Sequence, residues 1–250
     1  MATGEYPIRI NRYLLLKNYC SRREADRLIE QKKVFINGVP AVLGQKVNEG
    51  DEVRVAEEVE DRVYKYYLYN KPRGIVSHLP RSRKHQADNP HRDEQAVEDV
   101  SGLGTSVSVV GRLDKDSHGL MLLTDDGRIV DAILNPKYEH EREYEVRVDK
   151  YLKESDLKKL SRGVSIEGYI TKPAKATRLG DNSFALTLTE GKKHQIRRMC
   201  AALGYQVRDL KRIRMMHLVL NVESGKHRPL TDSEKRELLR KTGVTSRDSQ

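Results

Sequence analysis

Residues 110–120 read Val110-Gly111-Arg112-Leu113-Asp114-Lys115-Asp116-Ser117-His118-Gly119-Leu120. Apolar residues stand on both sides: Val107, Val109 and Val110 lead in, and Leu120, Met121, Leu122 and Leu123 lead out. Two aliphatic runs around a polar stretch rich in Gly and Asp predict strand, turn, strand. Asp114 then stands at an exposed turn, with Arg112 and Lys115 beside it in sequence. Over the whole chain 47 Lys and Arg oppose 37 Asp and Glu, a formal net charge of +10. Such a balance attracts a phosphate backbone. A carboxylate displayed in basic surroundings is a place where a polyanion can meet a reactive acid. Aspartates are also ordinary turn residues, so the local sequence leaves turn residue and reactive acid both open.

At 250 residues the chain has room for a small and a larger domain. Apolar residues make up 37% and charged ones 34%, which allows a core beneath a heavily charged surface. Cys20 and Cys200 are the two cysteines. Neither has a partner at metal-ligand spacing, and both read as small core residues of a reduced compartment. Residues 1–7 carry no apolar signal segment, and no apolar run approaches the ~20 residues of a membrane span. The expectation is a soluble, cytoplasmic protein.

Residues 1–56 are expected to form one compact unit. The stretch from Ile8 to Asn18 predicts a short helix. Ser21-Arg22-Arg23-Glu24 is a capping-box pattern opening a helix with Ala25, Leu28 and Ile29 on one face, and with Arg22, Arg23 and Arg27 mainly on the other. Val34-Phe35-Ile36-Asn37-Gly38 predicts a strand ending in a hairpin turn, and short strands follow through Val47 and Val53–Val55. The acidic run 57–62 reads as a linker. A larger unit over 63–241 opens with a strand from Val63 to Tyr69 and a turn at Asn70–Gly74. The polar stretch from His78 to about 106 reads as a long, mobile surface loop. Further on, Ile129, Val130, Ile133 and Leu134 predict a helix ended by Pro136. Glu143–Val148 alternates as a strand with Tyr144, Val146 and Val148 on one face. Residues 153–161 predict a helix, and 164–170, 172–179 and 183–189 predict strands. Gln195–Leu203 predicts a helix stopped at Gly204, and Asp232–Leu239 another. Residues 242–250 read as a flexible tail. Irregular alternation of strands and helices favours an α+β fold over a doubly wound sheet.

The sequence holds no Gly-rich phosphate loop and no CxxC or HExxH pattern, so a metal or organic cofactor is not expected. Its segments do, however, assemble into a known set. Arg9, Asn11, Leu14, Ser21–Ala25, Ile29 and Val34–Gly38 resemble the S4 RNA-binding domain. The departure is Gln31-Lys32-Lys33, where that family places a glycine before the strand, and a reshaped turn is expected there. Asn70–Gly74, Gly111–Asp114, Glu143–Val146 and Glu190–Met199 resemble, in order, the motifs of RNA pseudouridine synthases. With an S4 domain in front, the chain is identified as a member of the RsuA-like ribosomal RNA branch, closest to the large-subunit pseudouridine synthase F group. A second departure is His227, where the family commonly has tryptophan; it reads as a packing variation.

The resemblance implies a mixed, largely antiparallel catalytic sheet and a cofactor-independent isomerisation of uridine to pseudouridine, in ribosomal RNA and on the central motif's form in 23S RNA. The implied catalytic set is Asp114 as the essential carboxylate (a nucleophile, or a base in a glycal route), Tyr144 stacked on the target base, and Arg197 paired with Asp114. Expected RNA contacts are Arg9, Arg12, Arg22, Arg23 and Arg27 in the S4-like unit, and Lys71, Arg73, Arg112, Lys193, Arg198 and Arg212 in the catalytic unit. A uridine-containing stem-loop is the expected partner, no membrane is, and the protein is expected to act as a monomer. The rival readings are a non-catalytic RNA-binding or ribosome-assembly factor keeping the same fold, a synthase acting on transfer RNA or small-subunit RNA, and, more weakly, a nucleoside hydrolase.

Overall fold

The computed structural model describes residues 6–56, 63–78, 94–104 and 106–244. Their contacts divide into two units, residues 1–65, 126–132 and 238–250 forming one and residues 66–125 and 133–237 the other.

The first unit opens with a two-residue strand β1 (Ile8–Arg9), helix α1 (Ile10–Leu16) and helix α2 (Arg22–Glu30). The first helix is shorter than expected, because Ile8 and Arg9 pair with Val47 and Lys46 instead. Ser21 caps α2, its Oγ accepting from Glu24 N at 3.3 Å. Strands β2 (Val34–Ile36) and β3 (Val39–Pro40) form the expected hairpin, followed by β4 (Lys46–Val47) and β5 (Val53–Val55). Asn37 and Gly38 take φ of 52° and 80°, the paired positive values that a tight right-twisted hairpin requires. Ala25, Leu28 and Ile29 of α2 bury against Ile10, Leu14, Val34, Ile36 and Val47, while Arg22, Arg23 and Arg27 stay exposed. The turn at Lys32 is not reshaped. Lys32 takes the glycine-like φ of 56°, and Lys33 N closes onto Leu28 O at 2.9 Å, the usual left-handed helix stop.

The second unit is built on a mixed sheet. In chain order it holds β6 (Tyr66–Lys71), helix α3 (Val97–Val100), β7 (Ser108–Val110) and β8 (His118–Thr124). Then come helix α4 (Arg128–Leu134), β9 (Arg142–Val148), helix α5 (Glu154–Arg162), β10 (Ser165–Ile166) and β11 (Tyr169–Ile170). Strands β12 (Lys175–Gly180) and β13 (Ser183–Leu188) follow, then helix α6 (Gln195–Ala202), β14 (Val207–Met215), β15 (Leu218–Val219), β16 (His227–Pro229) and helix α7 (Asp232–Thr242). The strand order is β12-β13-β9-β14-β8-β6-β16, with β7 on β8 and β15 on β14. Every pairing is antiparallel except β14 with β8. The fold is α+β, and the sheet is mixed and largely antiparallel.

Strand β8 lies between β6 and β14 with residues 119–124 all buried. A central strand covered on both faces reads as a continuous apolar run rather than an alternation, which is how Leu120–Leu123 reads. Gly119 decides its fit: a Cβ there would stand 2.3 Å from Arg212 O, so only glycine lets β14 come alongside.

Several expectations are corrected here. The linker at 57–62 lies outside the described residues, as do 79–93 and 105 of the polar stretch. The rest of that stretch is not a surface loop: Val76 bridges Ala96, and Val97 is buried with Tyr69, Val107, Leu113, Met121 and Leu123. Val63–Lys65 stay out of the strand, which runs on through Asn70 and Lys71. Pro136 ends α4 by opening a 3-10 turn, Pro136–Tyr138. The expected strand 164–170 is a minimal hairpin, β10 and β11. Helix α7 runs to Thr242 and Val244 is buried; residues 245–250 lie outside the described ones. His227 packs edge-on against Tyr67, ring centres 5.5 Å apart.

Candidate active site

The connection Gly111–Ser117 joins the antiparallel strands β7 and β8. It leaves β7 through Gly111 at φ 76° and closes as a turn, Ser117 N donating to Asp114 O at 3.0 Å. Asp114 sits at its head with a side chain 37% exposed.

The last residue of β6 and those that follow it hold this turn. Lys71, fully buried, donates from Nζ to Ser117 O at 2.7 Å, Pro72 O at 3.0 Å and Lys115 O at 3.4 Å. Arg73 Nε donates to Asp116 O at 3.2 Å. Gly74 N donates to Lys115 O at 2.9 Å. Ser77 Oγ donates to Leu113 O at 2.5 Å and accepts from Leu113 N at 2.8 Å. Arg73 is itself fixed by Asp209 at 3.3 Å, which also meets His118 Nε2 at 3.1 Å. The backbone around Asp114 therefore has little freedom, as a preorganised site requires.

Helix α6 supplies the far side. Arg197 Nε lies 3.9 Å from Asp114 Oδ2. The expected pair is therefore a long one, because the guanidinium's Nη atoms are taken elsewhere. Its Nη2 donates to Ser117 Oγ at 3.2 Å and Asp116 O at 3.3 Å, and its Nη1 to Val207 O at 3.4 Å. His194, at the start of α6, places Nε2 3.5 Å from Asp114 Oδ1. Asp116 shapes the turn through its carbonyl, which both arginines use.

Tyr144 stands two strands away. Lys71 pairs with Gly119, Gly119 with Arg212, Arg212 with Tyr144 and Tyr144 with Leu186, one row across the sheet. Tyr144 is half-buried and packs against two core clusters, one around Phe184 and Leu186 and one around Tyr69 and Met121. Among the described residues no hydrogen bond or ion pair joins it to Asp114; the structure places it at the level of the site but apart from the Asp114–Arg197 pair.

Two of the expected RNA contacts are corrected by burial. Lys71 is enclosed beneath the turn. Arg212 is 2% exposed, its Nε donating to Leu120 O at 2.7 Å. Neither presents its charge to a polyanion. Arg73 is half exposed but committed to the turn. Arg198 meets Glu167 at 2.6 Å, while Arg112 and Lys193 are exposed. In the first unit Arg9, Arg12, Arg22, Arg23 and Arg27 are all exposed.

Sequence reasoning missed Ser77, His194 and Asp209 as parts of the site. Ser77 stands in unpatterned sequence, and Asp209 lies in β14, which was not expected as a strand. His194 was within a quoted motif, yet nothing local marks which of its residues turns toward Asp114. Burial pushes the Lys71 ammonium down to about 8, with Asp114 and Asp116 pulling the other way. Among the described residues no cluster of His, Cys, Asp or Glu could hold a metal ion, and no helix is long and apolar enough to cross a membrane.

Comparison with known proteins bears on the same two regions. Residues 65–202 match the family described as RNA pseudouridylate synthase, and residues 8–53 match the S4 domain. The dual-specificity RNA pseudouridine synthase RluF of Escherichia coli K12 is 41% identical over 234 residues, covering 91% of this chain and 77% of that one. The ribosomal large subunit pseudouridine synthase B of Bacillus subtilis is 34% identical over 240 residues, covering 92% and 95%. A crystal structure of a pseudouridylate synthase superposes with a TM-score of 0.66 at 32% identity, covering 92% of this chain and 99% of that one.

Proposed function

The chain belongs to the RNA pseudouridylate synthase family, with an S4 domain ahead of the synthase region, and from that premise we propose that it isomerises a uridine of 23S ribosomal RNA with Asp114 as the reacting carboxylate. The observation that carries the reading is the Asp114 turn: a part-exposed carboxylate on a backbone clamped by Lys71, Arg73 and Ser77, with donors from α6 beside both of its oxygens. A turn aspartate of purely structural use would spend its carboxylate on its own loop. Here the loop is held by other groups and the carboxylate is left facing outward. The same feature argues against a binding-only factor, since an acid at that place repels RNA.

The isomerisation breaks the bond between uracil N1 and the sugar, turns the base, and joins its C5 to the same sugar carbon; the C5 proton is lost and N1 regains one, so no electron is gained or released. Asp114 starts it, either by attack or by removing a proton. Arg197 sets its positive charge beside that carboxylate, 3.9 Å from Oδ2. A uridine inside a helix cannot expose C5, so it must be extruded, at a cost of a few kcal/mol that stacking on an aromatic helps to offset. Tyr144 is assigned that stacking. The exposed S4 arginines, with Arg112 and Lys193, supply phosphate contacts. Large-subunit RNA is favoured by the form of the central motif and by the named activity of the Bacillus relative; the protein acts as a monomer in the cytoplasm.

The test is incubation of purified protein with unmodified 23S, 16S and transfer RNA, followed by pseudouridine mapping with carbodiimide-blocked reverse transcription. New stops in 23S RNA are expected. Stops confined to 16S or transfer RNA would move the substrate, and none at all would leave a binding factor.

A further inference from the structure

His194 opens α6 at φ 52° and ψ 27°, in the left-handed region that glycine takes freely and that residues with a side chain take uncommonly. The state is fixed from both sides. Gln195 Oε1 accepts from Lys192 N at 2.8 Å, and Gln195 Nε2 donates to Glu190 Oε1 at 2.7 Å. Arg198 N donates to His194 O at 3.0 Å, and Arg198 Nη1 to Lys193 O at 3.3 Å. Glu190 and Gln195 are both buried, and Glu190 also accepts from Lys172 N at 3.0 Å and from Tyr169 Oη at 2.5 Å, which ties this loop to the β10–β11 hairpin and its flank. Sparsely populated backbone states persist where the surroundings over-determine them, and they gather at functional sites.

What this conformation delivers is the imidazole. Nε2 faces Asp114 Oδ1 at 3.5 Å, while Arg197 Nε faces Oδ2 at 3.9 Å. Arg197 has committed both Nη atoms elsewhere, so it steadies the carboxylate through charge at long range and does not fix its rotation. We propose that His194 is a positioning residue for the isomerisation, its Nε2 holding Asp114 by Oδ1 so that the carboxylate meets the extruded uridine in one orientation; this rests on Asp114 being the reacting acid. Glu190 and Gln195 serve the same end by holding the loop.

The test compares single-turnover rate, RNA affinity and Tm for the wild type and for His194→Gly, His194→Ala and His194→Gln on one unmodified RNA. Glycine is at ease at this φ, so His194→Gly is expected to melt no lower than the wild type. Its rate should nevertheless fall about tenfold, with RNA affinity within about twofold, because orientation of a reacting group is lost. Gln carries an Nε2 donor at similar reach, so His194→Gln should recover at least about threefold over His194→Ala. A His194→Gly variant at the wild-type rate, a Gln variant no faster than Ala, or losses that track Tm or RNA affinity would each overturn the role while leaving the isomerase reading intact. A wild-type protein that makes no pseudouridine overturns both.

Discussion

Lys71 bears most directly on how much the site's chemistry depends on its support. Its ammonium is enclosed and shared among three carbonyls of the Asp114 turn and its flank, and burial lowers it from 10.5 to about 8. The folded protein therefore releases this proton near pH 8, and the unfolded chain holds it to about 10.5. Where the unfolded state binds more protons, stability rises with pH. The wild type should gain stability relative to Lys71→Met between pH 8 and 10.5, read by denaturant unfolding at both values. A difference that stays flat or shrinks over that window contradicts the buried ammonium. The same variant should slow isomerisation, since the turn loses its anchor. Its sequence gave no hint of burial: a lysine beside Pro72, Arg73 and Gly74 reads as a surface turn, and only the register of β6 with β8 carries it inside. Asp114 was legible because glycine, charge and flanking apolar runs mark a turn without any tertiary knowledge.

Among the elements, short-range chemistry was legible and bulged strands were not. The Asn37-Gly38 hairpin, the Ser21 cap and the left-handed stop at Gly204 each follow from one or two residues with a strong conformational preference. Strand β14 was not expected at all. Its apolar residues fall at Val207, Leu210, Ile213 and Met215, which is not an alternation, because its register with β9 shifts between Val207 and Asp209 and between Arg212 and Arg214. An extra residue at each shift resets which face a side chain takes, and Arg212 ends up buried. Helix α7 shows the opposite case. Thr231 and Glu234 form a reciprocal cap, with Thr231 N donating to Glu234 Oε2 at 2.8 Å and Glu234 N to Thr231 Oγ1 at 3.2 Å. Arg228 closes on the same carboxylate with two bonds of 2.7 Å, chiefly responsible for holding it at about 2. Glu234→Gln should cost about 1–2 kcal/mol at neutral pH. A carboxylate held low contributes fully above pH 4.5 and loses that contribution as pH falls through about 2, so wild type and variant should converge in acid. Urea titrations at pH 7 and pH 2.5 check both halves.

At the scale of the whole molecule, the net charge of +10 and the exposed Arg9, Arg12, Arg22, Arg23 and Arg27 of the S4 unit predict binding that is steep in salt. Each phosphate contact removed should reduce the slope of log affinity against log salt by about one. Replacing Arg22 and Arg23 with alanine should therefore weaken RNA binding and cut that slope by about two. The isomerisation rate on saturating RNA should hold. A slope unchanged within error would remove α2 from the RNA contact. The two-part architecture and the α+β class were legible because each part carries its own motif set. How Lys71, Gly119, Arg212 and Tyr144 line up in one row was not, because that row joins four strands far apart in the chain.

The central claim is that Asp114 performs the chemistry and the rest of the site holds it. Its most direct measurement is the pseudouridine yield of Asp114→Asn beside the wild type on the same unmodified ribosomal RNA, with RNA affinity measured in parallel. Asparagine keeps the size and turn preference of the residue and removes only its charge and basicity. The expected result is no pseudouridine from the variant with RNA affinity within a few-fold of the wild type. Equal yield from the two proteins would contradict the account.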